Sequence, residues 1–502
     1  MGVQVNTRPG QRWVLALTSA ASLMVALDTL VVSTALSTIR VRLGASIEAL
    51  EWTMNAYSLS FAVLLMTAAV LGDRFGRRRV FAGGIGLFTA ASAACALSGS
   101  AGWLIAARAV QGAGAALVMP LAMALLTAAF PAHKRGRALG IFSGLTGLAV
   151  LGGPVVGGAV TQGLAWQWIF WLNVPIGVVL IPLVLRRIPE SLAGSTRLDI
   201  GGLTLVTGGA LGLVLGLVRA NDAGWASPEV MTALASGALL TGGFAVWELR
   251  VREPMLPMRF FRSRAFSAAN AAGLLMFASL FGAVFFMAQF LQTGLRYGPL
   301  AAGLRLAPWT ATLFVVAPIA GGLVNRLGER LLMAAGLALQ AAGMGWIALI
   351  AGPGLHYATM VAPLVVAGCG ISMAMPAAQN SVVGSVTPAA IGKASGTFNM
   401  MRQLGGVFGI AVLVAVFAGG GGYTSAAAFA HGFARAVGIS AGLSLLGAAA
   451  GLAVPGRHGV AGPARTPLRE GARPSVEREV VGAGVDAGPL LAPLHEQVVE
   501  KA

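Results

Sequence analysis

Long apolar runs follow one another from near Trp13 to near Val454, and charge rarely interrupts them. A run of roughly 20 apolar residues is enough for a helix to cross a bilayer. Fourteen such runs can be read, at 13–36, 52–71, 80–98, 103–129, 137–160, 168–186, 200–218, 229–247, 266–290, 302–323, 331–350, 357–382, 394–417 and 433–454. The first is too long for the core of a signal peptide and shows no clear cleavage site, so it reads as an uncleaved helix. The expected fold class is therefore an all-α polytopic membrane protein with 14 transmembrane helices.

Composition supports this. Of 502 residues, 57% are hydrophobic and 10% charged, whereas a soluble domain carries about 25% charged residues. A soluble enzyme, a nucleic-acid-binding protein and a disordered scaffold are all excluded on that ground. The net charge of +17 would suggest nucleic acid in a soluble protein; here it reads as basic cytoplasmic loops. The two cysteines, Cys95 and Cys369, lie in apolar stretches and offer neither a disulfide framework nor metal spacing.

An even number of spans puts both termini on one side. With the N-terminus cytoplasmic, the loops on that side hold 20 Lys and Arg, the tail excluded, against six opposite. The larger group includes Arg74, Arg77, Arg78 and Arg79; Lys134, Arg135 and Arg137; and Arg250, Arg252, Arg259, Arg262 and Arg264. This asymmetry places both termini in the cytoplasm. The segment 456–502, rich in Gly, Pro and mixed charge, reads as a disordered cytoplasmic tail.

The chain also repeats itself. Between spans two and three it reads Asp73-Arg74-Phe75-Gly76-Arg77, and between spans ten and eleven Asn325-Arg326-Leu327-Gly328-Glu329-Arg330. The copies align if spans one to six form one six-helix bundle (residues 1–190) and spans nine to fourteen another (254–455), with spans seven and eight inserted between them (191–253). Parallel six-span repeats build one large class of secondary transporters.

With these residues the chain resembles the major facilitator superfamily, in particular its fourteen-span drug:proton antiporters, over residues 10 to 455. Segment 69–79 is similar to the family's cytoplasmic loop signature, with Ala69 in place of the leading Gly. The resemblance implies a conformational gate of Asp73, Arg74, Gly76 and Arg77 with Asn325 and Arg326, latching the halves together. Arg108, Gln111, Gly112 and Gly114 in span four match an Arg-x-x-Gln-Gly-x-Gly motif. A guanidinium inside a span is costly and suggests function; snorkelling to the interface is the plainer reading. Span five carries Ala149, Gly153, Pro154, Gly157 and Gly158, similar to an antiporter motif found in exporters. Pro154 favours a kink, and the glycines allow helices to approach closely, so this face should form a bendable seam between the halves. Trp166, Trp168, Phe170, Asn173 and Pro175 resemble a further family segment, read here as interfacial anchoring. Asp199 reads as a helix-start residue.

Glu48, Glu51, Asp222 and Glu229 fall in or beside outer loops in this reading, and only Asp28 lies well inside an apolar run. A lone carboxylate there is expensive when ionised, which suits a group that loads and releases a proton. A bond to a nearby hydroxyl such as that of Ser33 is the structural alternative. The run from Asp28 resembles the family's first-span motif Asp-x-Thr-Val-Val-Asn-x-Ala-Leu-Pro, with Leu30, Ser33 and Ser37 departing from it. Asp28 and Arg108 are the proton-coupling candidates.

Candidates to line a substrate cavity near the midplane are Asp28, Asn55, Gln111, Asn270, Gln289, Gln340, Gln379, Asn380, Asn399, Arg402 and Gln403. Phe277, Phe281, Phe285 and Phe286 could touch an apolar compound, although lipid-facing packing is the expected role for any one of them.

Taken together, the resemblance implies efflux of an amphipathic or aromatic drug or antibiotic across the bacterial cell membrane, driven by the proton gradient with no cofactor. The partners are then the small-molecule substrate, protons and lipid; nucleic acid is not among them, and a monomer is the family's usual state. Export of one endogenous metabolite or self-made natural product is the alternative. A membrane enzyme would need clustered His or acids at one face, and the five histidines are scattered.

Overall fold

The computed structural model describes residues 8–191, 199–252, 254–387 and 390–456. The tail expected beyond Pro455 thus lies almost wholly outside the described residues, as does most of the connection between spans six and seven. Among the described residues there is no strand. The first helices are α1 (Arg8–Leu43), α2 (Ile47–Phe75), α3 (Arg77–Ala96), α4 (Ala101–Ala129) and α5 (Ala132–Gly163). The short α6 (Trp168–Trp171) continues into α7 (Asn173–Arg187), and α8 (Ile200–Ala223) and α9 (Pro228–Arg250) follow. After α10 (Arg264–Gln289) comes one broken run of α11 (Pro299–Arg305), α12 (Ala307–Thr310) and α13 (Thr312–Leu327). The last four are α14 (Glu329–Ile350), α15 (Tyr357–Gly384), α16 (Ile391–Ala418) and α17 (Ala426–Leu452).

Length and apolarity make twelve of these able to cross a membrane among the described residues, or thirteen when α2, bent by 53° between Leu65 and Thr67, is taken as one span. Their starts are set by polar caps. The hydroxyls of Ser46, Ser100, Ser227, Ser263 and Ser425 each accept from a backbone N–H in the first turn that follows. Asp199 does the same for α8, accepting from the Gly202 N–H at 2.8 Å, as its sequence position suggested. The side carrying the α2–α3 and α13–α14 turns holds most of the loop arginines and is called the basic side below; the opposite side is the far side.

The internal repeat is visible in the packing. In the first half α1 packs on α5, α2 on α4, α3 on α4, and α3 on α7. In the second, α10 packs on α16, α13 on α15, α14 on α15, and α14 on α17. These are the same pairings, shifted by eight spans because α8 and α9 intervene. The halves meet through α2 against α16 and α5 against α11, two contacts that the repeat also relates to each other. Helices α8 and α9 pair together, and α8 lies against both α2 and α16.

Both turns of the repeated loop need glycine. Gly76 (φ 101°) and Gly328 (φ 83°) take backbone angles that a side chain disfavours, so each lets one helix end and the next begin with no intervening loop.

One sequence expectation narrows and one changes. Glu48 and Glu51 lie beside the outer loop, as expected, but not in it: Ser46 caps α2 early enough to bring both into its first turns, and Glu51 is 1% exposed. Nor do the span-nine phenylalanines face lipid. Phe277, Phe285 and Phe286 are buried in the second half, where Phe286 stacks on Phe417 with centroids 4.8 Å apart; the apolar face of α10 is needed for packing on α16 and α17.

Candidate functional site

Five elements of the first half converge on Asp28. It sits midway along α1 and is 2% exposed. Arg108 is two turns into α4 and fully buried, so its side chain does not snorkel. Arg108 Nη1 donates to Asp28 Oδ2 at 2.5 Å and to Gln111 Oε1 at 2.7 Å. Gln111, one turn further along α4, donates from Nε2 to Asp28 Oδ1 at 2.8 Å. Asn173, at the start of α7, donates from Nδ2 to the same oxygen at 2.9 Å. Ser92 of α3 ties the amides together, accepting from Gln111 at 2.8 Å and Asn173 at 3.3 Å. Its own proton goes to the Phe88 carbonyl.

The guanidinium is held on its other edges too. Arg108 Nε donates to the Thr53 carbonyl of α2 at 3.3 Å, and its plane lies 4.1 Å over the Tyr57 ring. Arg108 Nη2 has no hydrogen-bond partner among the described residues. Asp28 only accepts in this arrangement, the pattern of an ionised carboxylate. A charge inside a low-dielectric bundle is tolerated when it is paired and hydrogen-bonded, and both conditions hold. Ser33 does not serve Asp28; its hydroxyl donates to the Leu30 carbonyl at 2.6 Å.

Sequence reasoning missed two members of this cluster. Asn173 belongs to the aromatic segment read as an interfacial anchor, although an amide within an apolar stretch was itself a signal. Ser92 lies among small residues of span three, and nothing in that pattern singles it out.

The glycine-rich face of α5 lies between α1 and α11. A methyl on Gly153 would lie 2.6 Å from Leu30 Cβ, and one on Gly157 would lie 2.6 Å from the Val31 carbonyl oxygen. One on Gly158 would come within 2.7 Å of Leu300 Cα in the other half. Pro154 reciprocates, since a methyl on Gly303 would meet its carbonyl carbon at 2.7 Å. The far ends of the halves are joined beside this seam. Gln292 Nε2 donates to the Thr34 carbonyl at 2.9 Å, the Leu300 N–H donates to Gln162 Oε1 at 3.2 Å, and Arg40 stacks 3.8 Å over Tyr423. Burial pushes the Tyr423 hydroxyl above the usual phenol range, against the opposing effect of Arg40.

The other sequence candidates are dispersed. On the basic side Asp73 pairs with Arg77 at 2.8 Å within its own turn. Glu190, just after α7, accepts from the Arg78 N–H at 2.9 Å and lies 3.6 Å from its Nε, so this loop is tied to the end of its own half. Arg74 stacks against Phe75, Arg326 is exposed, and the Asn325 side chain lies outside the described residues. Asn270 and Asn399 each donate to the carbonyl one turn earlier in their own helices, those of Phe266 and Ser395. Gln289 donates to the Phe285 carbonyl and accepts from the Tyr423 hydroxyl near the far side. Asn380 is exposed and donates to Glu329 on the basic side. Arg402 is partly buried, 5.7 Å over the Phe277 ring, and its Nε has no partner among the described residues. Only Gln111 joins Asp28 directly. Gln340 contributes instead to a neutral cluster in the second half, donating to Ser279, which also bonds Ser440 and Ser444.

Among the described residues no three His, Cys, Asp or Glu side chains are grouped so as to hold a metal. The family model of the Major Facilitator Superfamily matches residues 18–410, most of the chain. The chain belongs to the Major Facilitator Superfamily. With its twelve or thirteen long apolar helices, this superfamily member is a multi-pass protein of the bacterial cell membrane.

Within the superfamily the chain is similar to the tetracenomycin C resistance and export protein of Streptomyces glaucescens, at 34% identity over 80% of this chain and 76% of the relative. It is 35% identical to a cephamycin export protein of Amycolatopsis lactamdurans, over 81% of this chain and 85% of that one. It is 32% identical to a puromycin resistance protein of Streptomyces alboniger, over 87% and 90%. A solved peptide transporter bound to sulfate superposes with a TM-score of 0.66, covering 88% of this chain and 94% of its own at 16% identity. A D-xylose–proton symporter gives 0.61 at 15% identity, over 87% and 96%. At such identities these two structures speak for the fold alone.

Proposed function

We propose that this superfamily member exports drugs or antibiotics by exchange for protons, through alternating access of its two six-span halves. The resistance and export activities of its relatives support the direction and the substrate class. In this reading there are fourteen spans, with α8 and α9 as the inserted pair. The basic side and both termini are cytoplasmic, the drive is the proton gradient with no cofactor, and the working unit is a monomer.

The observation that carries the coupling is the buried pair of Asp28 and Arg108. A proton delivered to Asp28 removes the charge that holds the guanidinium, and Arg108 must then find other acceptors or water. The pair is thus a two-state element whose balance a proton changes, and it lies on α1 against the glycine seam of α5. Substrate binds between the halves, where Arg402 and Phe277 are candidate contacts.

The test uses everted membrane vesicles carrying the full chain, an imposed proton gradient, and a panel including puromycin and fluorescent cationic and neutral drugs. Uncoupler-sensitive accumulation that Asp28→Asn abolishes is the expected result. Unchanged exchange in Asp28→Asn vesicles would remove Asp28 from the coupling. A narrower reading, export of one natural product, is favoured by relatives whose names carry a single compound; it predicts that most of the panel is ignored.

A further inference from the structure

Glu51 is a second buried carboxyl group that the Asp28 cluster does not use. It lies in the second turn of α2 near the far side and is 1% exposed. Its recorded bond is from Asn55 Nδ2, at 3.3 Å and one turn along the same helix. Among the described residues no Lys or Arg lies within ion-pair distance of it. The Asn55 Oδ1 beside it likewise has no hydrogen-bond partner among the described residues. This differs from Asp28, which has a cation and two amides.

The helical phase of α2 shows where Glu51 faces. Trp52, Ala56, Leu59 and Val63 line a groove shared with α8. Thr53, Tyr57 and Ser60 face α4, through the Arg108 contact and the approach of Gly112. Glu51, Asn55 and Ser58 occupy the remaining face, where α2 packs along α16 of the other half. The facing far-side turns of α16, residues 407–418, contain no titratable side chain. The charged neighbour on its own helix is Glu48, which shares Arg219 of α8 with Glu229 at 3.7 and 3.6 Å. Glu51 therefore sits in an inter-half contact, next to an acid and, among the described residues, with no cation within ion-pair distance.

We propose that Glu51 is a second proton-binding group of the transporter, protonated when the far side closes. An ionised carboxylate buried without a partner carries a large desolvation penalty. The neutral acid avoids that penalty and supplies a hydrogen to a free acceptor such as Asn55 Oδ1. When the far ends separate, water reaches Glu51 and the proton exchanges with the outer solution. When they close, as they are in this structure, the neutral form is the one that fits. A low outer pH then favours closure of the far side, while Asp28 remains paired with Arg108. This rests on the alternating access proposed above.

Two measurements on the full chain in lipid test it. Infrared spectra of the substrate-free protein across a pH titration should show a protonated carboxyl component that Glu51→Gln removes and Asp28→Asn leaves; a carboxyl band unchanged by Glu51→Gln overturns the proposal. Spin labels on the exposed far-side positions Val41 and Arg296 then report closure. The wild type should close as pH falls, Glu51→Gln should stay closed at every pH, and Glu51→Asp should restore the pH dependence. Unaltered pH dependence in Glu51→Gln also overturns the proposal. Neither readout uses a drug, so absence of proton-driven puromycin accumulation by the wild type would count against the exporter reading alone.

Discussion

Asp28 and Arg108, 80 residues apart in the chain, form an ion pair at 2.5 Å from which water is excluded on both partners. Removing one member of a buried pair leaves an uncompensated charge, at a cost of about 3–5 kcal/mol. Asp28→Ala should therefore lower the unfolding temperature of the detergent-solubilised protein sharply. Asp28→Asn, which keeps a side-chain oxygen for Gln111 or Asn173, should lower it less. The double variant Asp28→Leu with Arg108→Met should recover much of the loss. A double variant no more stable than Asp28→Ala would show that the pair is not the source of the cost.

Asn173 supplies Asp28 with a neutral donor from α7. Its removal in Asn173→Ala should cost about 1.5–3 kcal/mol, the range for one hydrogen bond to a charged group, with Gln111 still donating to the same oxygen. It should also move the pH profile of drug accumulation in vesicles, because the carboxylate form loses support. A lowered unfolding temperature with an unmoved pH profile would confine Asn173 to a structural role.

Gly158 touches the backbone of Pro299 and Leu300 across the two halves. Valine there cannot be accommodated by turning a flexible side chain, and overpacking costs about 1–3 kcal/mol. Gly158→Val should reach the membrane yet hold the far ends apart, with accumulation lost and far-side labelling of introduced cysteines increased. Wild-type labelling together with normal transport would show that the seam is not part of the working motion.

On the basic side Gly76 has φ near 101°. A side chain in so sparsely populated a positive-φ conformation costs roughly 1–3 kcal/mol, and here a methyl would also meet the Glu190 carboxylate at 2.7 Å. Gly76→Ala should destabilise the protein by at least that amount. Glu190→Gln, which weakens the hold on Arg78 and Arg79, should add little once Gly76 is changed, because both act on one turn. Thermal unfolding of the single and double variants checks this.

Some of this was legible in residue order. The apolar runs, the Asp-Arg-x-Gly turn and its second copy, and the span-five glycines need only local chemistry to be recognised. Asp28 and Arg108 stood out because ionisable groups in lipid are expensive wherever they lie. What joins them was hidden: Ser92 and Asn173 become partners of Asp28 only when α3 and α7 pack beside α1. The burial of Glu51 was hidden for a related reason, since one serine cap decides whether an acid beside a loop starts a helix or hangs in that loop.

The sequence by itself determined that the chain lives in a bilayer, that its Asp-Arg-x-Gly turn recurs in a second copy, and where its costliest charge lies. These follow from transfer energies and helix geometry, which each residue carries into any fold. Tertiary structure alone decided which charges are neutralised. Arg108 meets Asp28 and leaves Arg402 beside an aromatic ring, the second half closes over serines and Gln340, and Glu51 has no cation paired with it among the described residues. Compensation of a buried charge depends on a few ångströms between helices distant in sequence, and only the packed bundle sets those distances.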